Sequence, residues 1–263
     1  KRIKSICIGN IYLGGTGKTP TTIALYEILK KLKIKVSTAK KFYDSQYDEN
    51  LLLKKKTNFI TSDNRKRILS KGIEENQQVI IFDDGLQDRN ISYDLEFVCF
   101  DSETFIGNGL LIPAGPLREK LKSLKKYAAV FLKNNNDNIL EHVNLLKKIN
   151  KNIEIFETYL KIVNLHKFNL NEEFLIFSGI GNPSSFRKIL INNKFKIKDE
   201  LIFSDHYDYK KDEIENIISI SQKNNLKIIT TEKDFMKIKK FNLTNIDFVE
   251  VKLIIKNEKE FID

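Results

Sequence analysis

Short, almost wholly apolar runs alternate along this chain with stretches whose apolar residues recur every three to four positions. Runs at 3–8, 34–38, 79–82, 95–100 and 128–132 read as strands, and a shorter one lies at 58–61. Helical spacing covers 18–32, 64–72 and 138–150. Uninterrupted apolar runs mark strands buried on both faces, so the pattern predicts an α/β fold with a largely parallel sheet. A second alternation comes after it: a strand at 174–177, a helix after Pro183, a strand at 198–203, a helix over 210–224 and a strand at 227–230. Ile214, Ile217, Ile218 and Ser221 set the spacing of that long helix.

Two extended runs, 153–163 and 247–255, are expected to pair as a two-stranded β ribbon. The predicted organisation is an α/β/α domain over 1–152, ribbon segments 153–165 and 247–256, a second, smaller α/β domain over 166–246, and a C-terminal segment 257–263 returning to the first. Residues 39–50 show no period and read as a loop. The glycine- and proline-rich stretch 107–119 is a structured loop, and Asn134-Asn135-Asn136 a surface turn.

Between the first strand and first helix lies Gly9-Asn10-Ile11-Tyr12-Leu13-Gly14-Gly15-Thr16-Gly17-Lys18-Thr19-Pro20. A strand delivering a glycine-rich turn to a helix N-terminus lets backbone N–H groups converge on phosphate oxygens, which makes this a P-loop NTPase-like element. Gly14, Gly15, Thr16, Gly17, Lys18 and Thr19 are the candidate nucleotide-binding residues. Lys18 would reach the β- and γ-phosphates, and the Thr19 hydroxyl would ligate Mg²⁺. Tyr12 stands where the strict pattern has its first glycine, so the loop is a variant one.

Composition narrows the class. Hydrophobic residues make up 41% and charged residues 30%, as in a globular protein. No stretch approaches the roughly 18 apolar residues of a membrane-spanning helix. The net charge of +10 points to anionic partners, a nucleotide or an acidic membrane surface. The lysines are spread along the whole chain rather than gathered on one element, so nucleic acid is not expected as a partner. Cys7 and Cys99 both fall in strand-like runs and read as buried free thiols. The sequence starts at Lys1 rather than Met, which leaves room for a preceding segment and an anchor within it.

Asp83-Asp84 follows the 79–82 strand as a Walker B carboxylate follows its strand; the alternative is a turn that favours aspartate. Asp48-Glu49 ends the irregular segment. Asp205-His206 follows the 198–203 strand, where a histidine beside acids makes a candidate base. Thr231 and Asp234 have the spacing of a helix cap, and Gly179 to Pro183 either binds an anion or turns the chain. His142 and His166 have no such setting and read as surface residues.

Taken in order, the phosphate loop, Asp83-Asp84-Gly85-Leu86-Gln87, Gly107-Asn108-Gly109 with residues 113–119, Gly179 to Pro183, Asp205-His206 and Thr230 to Asp234 resemble the tetraacyldisaccharide 4'-kinases of lipid A synthesis. The resemblance implies two α/β/α domains joined by a β ribbon. It implies phosphoryl transfer from ATP with Mg²⁺ to the 4'-hydroxyl of a tetraacyldisaccharide 1-phosphate, at the cytoplasmic face of the bacterial inner membrane. On matching positions, Thr19, Asp83 and Asp84 would hold the metal. Asp48 would act as base paired with His206, and Glu49, Arg65, Gln87, Arg118 and Glu119 would line the site. Closure of the second domain would bring His206 to it. Three positions depart from the family pattern: Asp88 replaces a histidine, 38–47 lacks an Arg-Gly-Tyr-Gly stretch, and Asn50 replaces a proline. The competing readings are a partition-type switch ATPase on DNA, against which Leu13 stands where a signature lysine belongs, and a degenerate kinase that binds ATP without turnover.

Overall fold

The computed structural model describes residues 2–42, 47–134 and 138–262. The strands are β1 (Lys4–Gly9), β2 (Val36–Lys41), β3 (Phe59–Ser62), β4 (Val79–Asp83), β5 (Leu95–Asp101), β6 (Ala129–Lys133), β7 (Glu154–Ile162), β8 (Glu173–Ser178), β9 (Lys196–Ile202), β10 (Lys227–Thr231), β11 (Ile246–Val249) and β12 (Val251–Ile255). The helices are α1 (Lys18–Lys31), α2 (Tyr47–Lys56), α3 (Arg65–Glu74), α4 (Leu140–Ile149), α5 (Pro183–Asn192), α6 (Lys211–Lys223), α7 (Glu232–Ile238) and α8 (Glu258–Ile262). The α/β alternation expected from the pattern is present, with a large parallel sheet.

Eight strands form one sheet in the order β12-β7-β6-β5-β1-β4-β2-β3, and four form another in the order β11-β10-β8-β9. β1 pairs in parallel with both β4 and β5, so the strand order reverses beside it. A reversal of this kind opens a crevice at the carboxyl ends of the strands, and ligands of open α/β sheets bind there. The residues at those ends are Gly9, Lys41, Asp83, Asp101 and Lys133. Cys7, Ile80, Phe82 and Ile68 pack one apolar layer of this sheet, and Val98, Phe100, Val130 and Leu132 another.

The chain divides into two compact units. The first holds Leu53–Tyr159 with the described residues of 1–44 and 253–263; the second holds Leu160–Lys252 with those of 45–52. Phe177, Tyr209, Ile214 and Ile228 build the core on one side of the four-stranded sheet, and Phe174, Phe186, Leu190 and Ile229 build it on the other. Asn182 caps α5 by accepting from Ser185 N at 3.0 Å, with Pro183 in the first turn. Here Gly179 to Pro183 is a turn and a cap.

Three expectations change. The segment 39–50 is not wholly irregular: β2 runs to Lys41 and α2 begins at Tyr47, which puts Asp48 and Glu49 in the first turn of a helix, where acids suit the helix dipole. The run 247–255 is broken at Glu250. Its first half pairs with β10 in the four-stranded sheet and only its second half, β12, lies beside β7. Asn164 makes the break by accepting from Glu250 N at 2.9 Å and donating to Phe248 O at 2.9 Å. Third, His142 is half-buried, its ring edge-on to Phe105 at 4.1 Å. Of the expected turn at Asn134-Asn135-Asn136, the last two lie outside the described residues.

Candidate active site

In the first unit the loop after β1 is shaped by Asn10, which is fully buried and donates to Gly14 O at 3.2 Å and Thr16 Oγ1 at 3.1 Å. Gly14 has φ 125° and Gly17 φ 90°, conformations that side chains rarely adopt, so both positions need glycine. Gly17 is the N-cap of α1 and supplies no side chain to its first-turn N–H groups. Free N–H groups at a helix start, aligned with the helix dipole, are suited to an anion.

The next two residues face the carboxylates that end β4. Thr19 Oγ1 donates to Asp83 Oδ2 at 2.8 Å, Thr22 Oγ1 bonds Asp83 Oδ1 at 3.4 Å, and Lys18 Nζ lies 3.8 Å from Asp84 Oδ2. Asp83 is fully buried, while Asp84 bends out at φ 67° and is also met by Arg118 at 3.4 Å. Lys40, the neighbour of Asp83 on β2, places Nζ 3.5 Å from Asp83 Oδ2 and is itself buried. A hydroxyl and adjacent carboxylates are hard oxygen donors, the set that Mg²⁺ takes. Among the described residues no three His, Cys, Asp or Glu side chains converge to cage a metal by themselves.

Around this centre Arg65 donates to Asp84 O at 2.9 Å and to Asp88 at 2.6 Å. Asp88, which departs from the family pattern, is thus the partner of a buried guanidinium that pulls its carboxyl down, after the larger effect of the Asn90 backbone N–H. Gln87 donates to Asn10 O at 3.0 Å and to Glu119 at 2.8 Å, and Tyr127 OH donates to Glu119 at 3.0 Å. Arg118 N bonds Ile11 O at 2.7 Å, tying the 107–119 loop to the phosphate loop. Farther along the crevice Lys133 and Asp101 form a buried pair at 2.6 Å, with the Lys133 stem flanking Gly17. Cys99 is a buried free thiol, as expected, and burial pushes it up to about 12.

The second unit gathers Asp48, Glu49, Asp205, His206, Lys233 and Lys237. Asp48 is buried and accepts from His206 Nδ1 at 3.0 Å. Lys233 Nζ lies 3.4 Å and Lys237 Nζ 3.3 Å from its Oδ2. Burial alone would raise the Asp48 carboxyl, but the His206 hydrogen bond and the charges of Lys233, His206 and Lys237 together hold it well below the usual carboxylate range. His206 adopts φ 59°, and its Nε2 lies 3.9 Å from Glu49 and 3.8 Å from Asp205. Lys237 also bonds Asp234 at 3.0 Å, and Asp234 accepts from Gly179 N at 3.0 Å and from the capping Thr231 hydroxyl at 2.7 Å. The Thr231–Asp234 pair is therefore both a helix cap and the footing of Lys237.

Residues 2–263 match the sequence profile of the family described as tetraacyldisaccharide-1-P 4'-kinase. The chain belongs to that family. It is 46% identical over 260 residues to the tetraacyldisaccharide 4'-kinase of Pelagibacter ubique (strain HTCC1062), covering 98% of this chain and 82% of the relative. A relative in Rickettsia bellii (strain OSU 85-389) is 36% identical over 252 residues, covering 89% of this chain and 77% of that one. In fold it is similar to the crystal structure of the Aquifex aeolicus LpxK protein in complex with ATP, with a TM-score of 0.71 at 24% identity, covering 99% of this chain and 87% of that one. The reaction of a tetraacyldisaccharide 4'-kinase is phosphotransfer to a sugar hydroxyl of a lipid A precursor.

Of the expected site residues, Lys18, Thr19, Asp83, Asp84, Arg65, Gln87, Arg118 and Glu119 are brought together in the first unit by these contacts. Asp48, Glu49 and His206 meet in the second. Sequence reasoning missed Lys40, Lys233 and Lys237. The last two carried a signal, since residues four apart share one helix face. Lys40 carried none, because one lysine among many in an unpatterned stretch does not announce a buried partner.

Proposed function

We propose that the chain transfers the γ-phosphoryl group of ATP, with Mg²⁺, to the 4'-hydroxyl of a tetraacyldisaccharide 1-phosphate at the cytoplasmic face of the inner membrane. The observation that carries this reading is the join between phosphate loop and carboxylate doublet: Thr19 on Asp83 and Lys18 beside Asp84. Gly14 to Gly17 and the first turn of α1 would cradle the phosphates, Lys18 and Arg118 would neutralise charge on the transferred group, and Thr19, Asp83 and Asp84 would hold the metal. An ion held by Thr19, Asp83 and Asp84 would supply neutralisation of charge on the phosphates.

Asp48 would accept the proton of the acceptor hydroxyl as that oxygen bonds to phosphorus and the bond to the leaving ADP oxygen breaks. A carboxylate held as low as this one is a weak base. Phosphoryl transfer tolerates a weak base, because in its loose transition state the attacking oxygen has formed little bond and keeps its proton late. His206, donating through Nδ1, would fix the carboxylate's direction, and Lys233 and Lys237 would keep it ionised. Among the described residues no helix is long and apolar enough to cross a membrane.

The test is turnover of detergent-dispersed tetraacyldisaccharide 1-phosphate with MgATP. Wild-type protein is expected to form the 4'-phosphate. Asp48→Ala should lose most of that rate while ATP affinity, measured by calorimetry, is retained; absence of turnover in the wild type overturns the reading.

A further inference from the structure

The loop joining β5 to the 3₁₀ turn at Leu121–Lys126 carries a feature the phosphotransfer chemistry does not use. From Phe105 to Leu117 it holds no charged residue, in a chain of which 30% is charged. Its feet are fixed: Phe105 and Leu117 are buried, and Leu124 just beyond is fully so. Its tip is turned outward, with Leu110 52% and Ile112 50% exposed. Leu13 of the phosphate loop, 54% exposed, is bound to the same structure by its N–H on Pro116 O at 2.8 Å. The tip is ordered by its own bonds, Ile112 N to Leu117 O at 2.9 Å and Leu117 N to Leu110 O at 3.0 Å, so these side chains are held out by the backbone rather than hanging loose.

Single exposed apolar side chains need no explanation, but three on one hydrogen-bonded knob, without a charge to interrupt them, do. The residues next in the chain add positive charge to this apolar tip. Lys120, Lys122, Lys125 and Lys126 are all exposed on or beside the short turn that Leu124 anchors. An apolar tip adjoined by a cluster of lysines matches an anionic bilayer, which takes apolar side chains at the acyl boundary and attracts the ammonium groups to its headgroups.

We propose that the 107–117 loop and the lysines after it are the surface by which the first unit docks on an anionic membrane, Leu110 and Ile112 entering the acyl boundary. The proposal rests on the kinase reading only for its purpose. The loop ends at Arg118, which touches Asp84, so docking through it sets the phosphate-loop crevice beside the layer in which an acylated acceptor lies.

The test measures partition of the whole chain, without nucleotide or substrate, onto vesicles of phosphatidylglycerol and phosphatidylethanolamine, with phosphatidylcholine vesicles as control. Wild-type protein is expected to sediment with the anionic vesicles and to be released by salt. The double variant Leu110→Glu/Ile112→Glu should partition at least roughly tenfold more weakly. Lys122→Glu/Lys126→Glu should weaken binding by roughly fivefold per lysine and flatten the salt dependence. All four side chains are exposed, and an unchanged thermal midpoint would show that the variants fold. Binding of every variant equal to wild type overturns the proposal, as does a wild type that ignores anionic vesicles. Retained vesicle binding with a raised KM for the detergent-dispersed lipid would also overturn it, assigning the loop to the substrate's acyl chains. A variant whose only change is loss of self-association in size-exclusion chromatography overturns it in favour of a second copy of this chain. Because partition is read without turnover, its failure is separable from failure of the kinase reading.

Discussion

Lys40 Nζ lies 3.5 Å from Asp83 Oδ2, and both side chains are closed off from water. An aspartate beneath a phosphate loop is thereby held by a lysine from the neighbouring strand as well as by two threonine hydroxyls. Removing the lysine leaves a buried carboxylate short of its cation. Lys40→Met is expected to cost about 3–5 kcal/mol of stability, the range for breaking a buried pair from one side. Lys40→Met/Asp83→Asn should be less destabilised than Lys40→Met alone. Urea unfolding of the two single variants and the double variant reads the coupling directly.

Asp48→Asn is expected to lower kcat by roughly 10²–10⁴, the usual weight of a general base, with ATP affinity unaltered. The same carboxylate gives a stability signature. Its folded pKa lies below the ordinary 3.8, so its contribution is present above that value and is lost as pH falls through the folded pKa. Asp48→Asn should therefore flatten the loss of unfolding free energy below about pH 4, as measured by denaturant titration.

Lys237→Met removes a positive charge 3.3 Å from that carboxylate. The Asp48 carboxyl should then titrate at higher pH than in the wild type, as read by NMR of the side-chain carboxylate. Lys237→Arg, which keeps the charge, should leave that titration near its wild-type position. A lysine that merely packed would change stability without moving it.

Gly9→Ala tests the close approach that seats the loop. A Cβ at this position would collide with the Leu86 side chain. Displacing Leu86 also disturbs Gln87, whose side chain holds Asn10 O. The expected result is a loss of about 1–3 kcal/mol with a raised KM for ATP, read by thermal denaturation and initial rates.

The features legible in the sequence are those set by local rules. The strand, glycine turn and Gly17-Lys18-Thr19 define their own geometry within a short stretch, and the apolar run before Asp83 places that acid at a strand end. His206 stands out as a candidate base beside Asp205, but its pairing with Asp48 is legible only through resemblance to a family, since 158 residues separate them and no local pattern links them. The helix that carries Asp48 reads as loop because Tyr47–Lys56 has almost no amphipathic period, and without that helix its first-turn acids look like any solvated pair. The break at Glu250 is hidden from the sequence because it is made by a side chain, Asn164, from a distant strand end.

Where the phosphate loop meets β4, Lys18, Lys40, Arg65, Arg118 and Lys133 stand among Asp83, Asp84, Asp88, Asp101 and Glu119. The charges of these named groups cancel, so together they offer a free divalent ion no net attraction. A bound triphosphate would add negative charge to that balanced set. Magnesium is therefore expected to bind with the nucleotide rather than ahead of it, so that nucleotide affinity sets the occupancy of both.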